Sequence, residues 1–510
     1  MLLVGAVLYL VLAEPTVDLA DARPTGRLPV ISPDYVGVTL PPNIAPLNFS
    51  VREPGNRYVV RISADRGEPI EVVSRSGGIV IPIGSWKRLL DANRGGKLHV
   101  EVYVRNDVGR WCAYTPFVNT VADDEIDPYL VYREMPLYNL AWRDMGVYQR
   151  NLENYEVSTV LHNTSFNLGC MNCHTFLANR TDRMVMNVRG PYTGKPPGGM
   201  VITENDRVFR VVNTKTALGS MPAIYLSWHP SGRAIAFSVN KILQCFHTVG
   251  YHRETFDTWS DIAIYLIDSN TVTTSPKFYR TDRMETYPSW SPDGEWLYFC
   301  SAPALPITRY TEVRYDLMRI RCLDLEGNRW GEPEVVLSTR DLGRSVSHPR
   351  FSPDGKFLLC SITNFGNFPA FSPDADLYML DPQTGRGEYI AANSDQSDGF
   401  HSWSSNGRWI AFSSKRRDGL FARPHFSHVD GNGKTTKPFM LPQEDPFFYD
   451  SYIRIYNLPE LLKEPVRVSE RTLAEAIHDP ARTMQAVLDP AVTPQEQPEE
   501  TPQQMRRYVE

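Results

Sequence analysis

Four stretches of the chain share one alternation of apolar and polar positions: LSWHPSGRAIAFS from Leu226, PSWSPDGEWLYFCS from Pro288, PRFSPDGKFLLCS from Pro349 and HSWSSNGRWIAFS from His401. In each, an aromatic residue closes a short apolar run, a Ser-Pro-Asp-Gly turn or a variant follows, and a second run of period two begins. This pattern predicts a hairpin. The four aromatics, Trp228, Trp290, Phe351 and Trp403, lie 62, 61 and 52 residues apart. After three of the hairpins comes a second signature, DIAIYLID from Asp261, DLMRIRCLD from Asp316 and DLYMLDPQTG from Asp376, which predicts a third strand and the approach to a fourth. A four-stranded antiparallel unit cannot bury both of its faces alone. Packing such units radially covers them, so the pattern predicts an all-β fold built around a β-propeller.

The flanking segments complete the expected organisation. From about Pro136 to Lys215 the strand-like pieces RMVMNVRG, GMVITEND and VFRVVN predict one more blade with a Cys-His cluster inserted in it, and Asp445 to Val468 is expected to close the ring at six blades. Upstream, alternating runs between Pro46 and Val121, split by Gly and Asn turns, predict a small immunoglobulin-like β-sandwich. The apolar run Leu2–Ala13 is too short for a comfortable membrane span and suits the core of a secretory signal. The expected domains are therefore a signal peptide or membrane anchor over residues 1–27, the sandwich over 28–121, a linker over 122–135, the propeller over 136–470, and a largely disordered extension over 471–510. That extension is rich in Pro, Gln and Glu and poor in apolar residues.

Composition narrows the function. Charged residues make up 22 % of the 510 residues and the formal net charge is −6, which gives no electrostatic reason to expect nucleic acid as a partner. A Gly-x-Ser-x-Gly elbow and a His-Glu-x-x-His motif are both absent from the sequence, which argues against the hydrolases that use them.

The chemistry concentrates at GCMNCHTF, Gly169 to Phe176, in a chain with only seven cysteines. Two thiols separated by two residues reach the two vinyl groups of one porphyrin edge, and the next residue is pinned beneath the iron as its imidazole ligand. Cys170 and Cys173 are the expected covalent tethers of one haem c and His174 its proximal iron ligand. From composition, the chance of such a pattern in this chain is about 0.002. Two alternatives remain beside it: a zinc site, which would need two further ligands at short spacing, and a Cys170–Cys173 disulfide, which has no thioredoxin-like βαβ pattern around it. The other cysteines are scattered singly. Cys300 and Cys360 end the second strands of neighbouring hairpins one step out of register, so their side chains should point to opposite faces.

A sixth ligand would decide whether the iron relays electrons or does chemistry. Met184 and Met186 share one face if RMVMNVRG is a strand, and His229, His247 and His401 fall in or near propeller repeats. These five are the candidates, each with blade core or a hydrogen-bonded structural role as the alternative. His348 and His162 are open to the same reading.

The hairpin pattern resembles the TolB-like, WD-type propeller repeat over about Pro222 to Lys437. MNCHTF with RTDRM, SWHPSGRAIAFSVNK, and HSWSSNGRWIAFSSKR with FARPHFSHVDGNGK together resemble a group of exported bacterial proteins that join a TolB-like propeller to a single c-type haem motif. In outline the combination is also similar to the hydrazine synthase alpha subunit, though this chain is shorter and has one haem motif. The resemblance implies a periplasmic protein, or one anchored to the membrane facing the periplasm. The expected function is that of a monohaem cytochrome c on a propeller platform, passing electrons to or from redox partners such as multihaem cytochromes or a membrane-bound quinone-linked complex. Two alternatives stay open: a haem enzyme acting on a small nitrogen or oxygen compound at an open iron site, and a TolB-like interaction module with structural or sensory haem.

Overall fold

A computed structural model of the chain describes residues 19–137, 144–190, 198–219, 223–245 and 254–495. The expected leader before residue 19 and the last fifteen residues of the tail lie outside the described residues.

Six antiparallel meanders follow one another along the chain. The second sheet runs Cys170–Phe176, Met184–Arg189, Gly198–Glu204 and Arg207–Asn213. The third runs Ala223–Trp228, Ala234–Cys245, Glu254–Leu266 and Thr271–Thr273. The fourth, fifth and sixth begin at Arg283, Ser345 and Asp398 and carry the three later hairpins read from the sequence. The first sheet is assembled from both halves of the chain: Tyr129–Pro136, Gly146–Asn151 and Val157–His162 are joined by the late strand Arg454–Leu462, which pairs antiparallel with Tyr129–Pro136. The leading strands of sheets two to six and Arg454–Leu462 lie against one another in cyclic order. A ring closed by a strand from the far end of the chain covers every sheet face, which is how a β-propeller resolves the burial problem posed by the repeat.

Two parts of this parse differ from the sequence reading. Tyr129–Pro136 is a strand of the first sheet rather than a linker. The Cys-His cluster is no insertion: Cys170–Phe176 is itself the innermost strand of the second sheet. Pro136 to Lys215 therefore contributes to two sheets instead of one, and the late segment completes the first of them. The two leading strands lack the aromatic-Ser-Pro-Asp-Gly signature, so periodicity did not separate them.

The repeated turn has one physical design. In the fourth, fifth and sixth sheets a serine hydroxyl donates to the Asp or Asn two residues on: Ser291 to Asp293 at 2.5 Å, Ser352 to Asp354 at 2.7 Å and Ser404 to Asn406 at 2.6 Å. The next residue is glycine with φ between +67° and +75°, a conformation that side chains resist. In the third sheet His229 takes the serine's place, with Nδ1 at 2.7 Å from Ser231 Oγ.

The amino-terminal part forms a seven-stranded sheet around Arg57–Ala64 and Lys97–Arg105, faced by the short strands Ile31–Ser32, Phe49–Val51 and Gly78–Ile79 and by a helix over Ile83–Ala92. The helix buries Trp86, Leu89 and Leu90, an i, i+3, i+4 spacing visible in SWKRLLDA. Its core continues without a break into Trp409, Phe426 and Phe439 of the sixth sheet and Tyr132 and Tyr456 of the first.

Residues 471–495 are more ordered than their composition suggests. Ser469 caps a helix over Glu470–His478 that buries Leu473, Ala474, Ala476 and Ile477, and Thr483–Gln485 and Val487–Leu488 add parallel strands to the outer edges of the second and third sheets. Edge pairing and one apolar helix face order this segment, and neither depends on a high apolar fraction.

Candidate functional site

Cys170–Phe176 pairs with Met184–Arg189, and the ladder breaks between Met171 and His174, so Asn172 and Cys173 form a bulge. The other five innermost strands bulge at the same place, and there each holds a bulky residue at positive φ: Tyr225 at 52°, Tyr287 at 53°, His348 at 51°, Phe400 at 47° and Leu458 at 51°. Non-glycine residues in that region are costly, so its recurrence marks a geometry imposed by the ring. Four of these side chains meet: Tyr225 and Tyr287 ring centroids are 3.8 Å apart, Tyr287 and His348 4.0 Å, and His348 and Phe400 4.7 Å. The Cys-x-x-Cys segment thus occupies the position where sister strands send aromatic residues toward the middle of the ring.

Polar contacts fix the bulge. Arg133, from the first sheet, donates Nη1 to the carbonyl oxygens of Met171 and Asn172 at 3.1 and 2.9 Å. Arg189 donates Nη2 to Cys170 Sγ at 3.1 Å and to Asn172 Oδ1 at 3.3 Å, and the Cys170 thiol donates to the same Oδ1 at 3.2 Å. The Tyr225 backbone N–H donates to Cys173 Sγ at 3.2 Å. Gly169 leads in because a Cβ there would stand 2.4 Å from the Phe166 ring and 2.6 Å from the Arg189 carbonyl oxygen. Burial pushes the Cys173 thiol above its ordinary pKa and pulls the Arg133 guanidinium below its own.

His174 points into the core shared by the first and second sheets, 3 % exposed, with the Leu458 and Val131 backbones beside its ring but neither nitrogen in a well-aligned hydrogen bond. Burial holds its pKa down at about 3, so at neutral pH the imidazole is uncharged, the form that ligates a metal. A buried polar atom left without a well-formed hydrogen bond costs about 1–3 kcal/mol.

These three residues supply the donor types of a c-type haem, but His174 is packed in the core and the cavity lined by Arg344, Asp374 and Asp376 does not adjoin it. Both cysteines are free, partly buried thiols, and the imidazole follows directly after the second. Among the described residues no group of three or more His, Cys, Asp or Glu side chains is placed to hold a metal ion.

The sixth-ligand candidates fare differently. Met186 sits directly opposite His174 in the strand ladder and Met184 opposite Phe176. Directly opposed residues are side-by-side neighbours about 5 Å apart at Cβ. Met184 and Met186 are both core, 0 % and 1 % exposed. His229 is the turn residue already described. His401 is buried with Nε2 2.8 Å from the Leu359 carbonyl oxygen of the fifth sheet, and burial lowers its pKa to about 3. His247 lies outside the described residues. His162 rests at the first sheet's edge, between Thr164 and Asp144. His348, at the centre of the aromatic group, has two buried, unpartnered ring nitrogens. Arg133, Arg189 and Tyr225 were not legible as site residues, because they reach the motif from other strands and carry no spacing signal of their own.

No family model and no curated protein matches the chain. Among solved structures it is similar to a prolyl endopeptidase (10 % identity, 69 % of this chain and 42 % of that one, TM-score 0.32), to the β-propeller domain of the trilobed protease from Pyrococcus furiosus (10 %, 68 % and 82 %, 0.32), and to Kuenenia stuttgartiensis hydrazine synthase (13 %, 53 % and 65 %, 0.26). The chain spans under half the length of the prolyl endopeptidase it matches.

Proposed function

We propose that this chain is an exported monohaem c-type cytochrome, a six-bladed TolB-like propeller behind an immunoglobulin-like domain. In this reading Cys170 and Cys173 tether one haem and His174 is its proximal ligand. The single observation that carries the reading is the His174 imidazole, buried and uncharged beside the free thiol of Cys173. A haem held there supplies one-electron chemistry at its iron. The chain's own residues hold the attachment bulge through Arg133, keep positive charge beside Cys170 through Arg189, and shield the imidazole from water. Redox proteins of the periplasm, multihaem cytochromes or a quinone-linked membrane complex, are the proposed partners.

A second reading, a haem enzyme with an open iron site acting on a small nitrogen or oxygen compound, is favoured by one observation: the described Met and His candidates are core or structurally engaged. Spectra with carbon monoxide separate the two. A relay with two protein ligands will leave its reduced spectrum unchanged, and an open iron will shift it. Protein produced with a cytochrome c maturation system should carry haem that survives denaturation, and Cys170→Ala with Cys173→Ala should abolish it. Equal haem retention in that double variant would overturn both readings.

A further inference from the structure

We propose a reactive centre at the edge of the first sheet, with Thr164 Oγ1 as a nucleophile, His162 as its general base and Asp144 as the carboxylate that orients the base, acting on small carboxylic esters that reach it from solvent. It is independent of the haem reading. Gly146 faces His162 in the ladder between Gly146–Asn151 and Val157–His162, and this pairing brings Asp144, just ahead of Gly146, beside the imidazole. After His162 the chain turns into a 3-10 helix over Asn163–Phe166, which sets Thr164 against the same ring.

Hydrogen bonds fix where the proton sits. The Thr164 backbone N–H donates to His162 Nδ1 at 3.3 Å, and an amide N–H can only donate, so Nδ1 is the accepting nitrogen and the neutral ring carries its proton on Nε2. The Thr164 hydroxyl, 2.7 Å from the same Nδ1, therefore donates to it as well. Nε2 lies 3.3 Å from Asp144 Oδ1. Arg454 Nη1 donates to Asp144 Oδ2 at 2.6 Å and holds that carboxyl below its ordinary range, while Glu470 Oε1 accepts the His162 backbone N–H at 3.0 Å. Thr164 is exposed, so a reagent meets its hydroxyl without opening the fold.

As Oγ1 attacks the ester carbonyl carbon, Nδ1 takes its proton; the bond to the alcohol breaks, the alcohol leaves with that proton, and water releases the acid by the same route. Ester and water are the only reactants. The third sheet supplies a control within the chain. His229 Nδ1 also lies 2.7 Å from a hydroxyl, Ser231 Oγ, and accepts the Ser231 backbone N–H at 3.2 Å, so the contact between imidazole and hydroxyl is a product of the turn in both places. Behind the His229 ring stands the neutral Gly294 carbonyl oxygen at 3.3 Å. A carboxylate stands behind His162, and it offsets the positive charge that forms on the ring during attack.

The test is reaction of the full chain with an alkyl fluorophosphonate, whose phosphorus bonds to an activated hydroxyl oxygen as fluoride leaves, with the adduct located by peptide mass spectrometry. Thr164 should be labelled and Ser231 should not. His162→Gln should slow the labelling by about 100-fold or more. Asp144→Asn should slow it too, with Asp144→Glu restoring it, and Thr164→Ser should keep it. Thr164→Val should abolish both labelling and the turnover of p-nitrophenyl acetate. An unlabelled Thr164, equal labelling of Ser231, a rate unchanged in His162→Gln or Asp144→Asn, or equal ester turnover in Thr164→Val would overturn the proposal. The comparison of Thr164 with Ser231 in the unaltered chain decides the matter if a variant fails to fold.

Discussion

His174 sets the terms at the residue scale. Polar atoms buried without partners are destabilising in an isolated chain, and an apolar side chain of similar volume removes that cost. We therefore expect His174→Met, compared in haem-free protein, to leave stability to urea unchanged or to raise it by about 1–3 kcal/mol. A clear loss of stability would mean that the imidazole serves the core itself, and the ligand assignment would go with it. The sequence made the motif visible because its three chemical residues fall within one short stretch, Cys170 to His174. It did not show that Arg133 and the Tyr225 amide hold the bulge, since those contacts arise only when neighbouring strands are brought alongside.

At the scale of the element, the hairpins were legible because a turn of four residues carries its chemistry locally. Aligning the turns also places His229 where Ser291, Ser352 and Ser404 stand, so its structural role was readable in principle. The cysteines Cys300 and Cys360 were read as facing opposite ways, and both are 0 % exposed in a single core layer. Opposite faces of neighbouring sheets point at each other, so the two observations agree. Tyr129–Pro136 and Cys170–Phe176 were not legible for the converse reason: neither is followed by the Ser-Pro-Asp-Gly turn that marks the later hairpins. A buried acid makes this packing measurable. Burial and the nearby Glu285 raise the Asp261 carboxyl to about 9, from an ordinary value of 3.8. The folded chain thus keeps a proton that the unfolded chain releases, so this group's contribution to stability is lost as pH rises from about 4 to 9 and then levels off. Asp261→Asn should flatten that decline in urea titrations taken across the range. An unchanged slope would assign the pH dependence to other groups.

For the whole molecule, the strand Arg454–Leu462 is the decisive piece. It completes the first sheet and lies against the strand that carries His174. Truncation before Arg454 should abolish cooperative unfolding, whereas truncation after Gln495 should leave Tm within about 1 °C of the full chain. A cooperative transition in the shorter chain would show that the ring does not need its closing strand. Because one core runs from the amino-terminal sheets into the sixth and first sheets, the two parts should melt together in calorimetry. The closed ring also bears on loading. With His174 nearly inaccessible, a haem attached as proposed would have to enter before the closing strand docks, so adding haem to folded apo-protein should yield no covalent product. The overall architecture was legible from repetition, while the join between its first and last segments was not, because no local pattern links residues more than three hundred positions apart.

The most direct test is the intact mass of the denatured protein after expression with a cytochrome c maturation system. The mass should exceed that of the chain by one haem, and the addition should disappear when Cys170 and Cys173 are replaced together. A mass equal to that of the bare polypeptide would contradict the assignment of Cys170, Cys173 and His174 as a haem site.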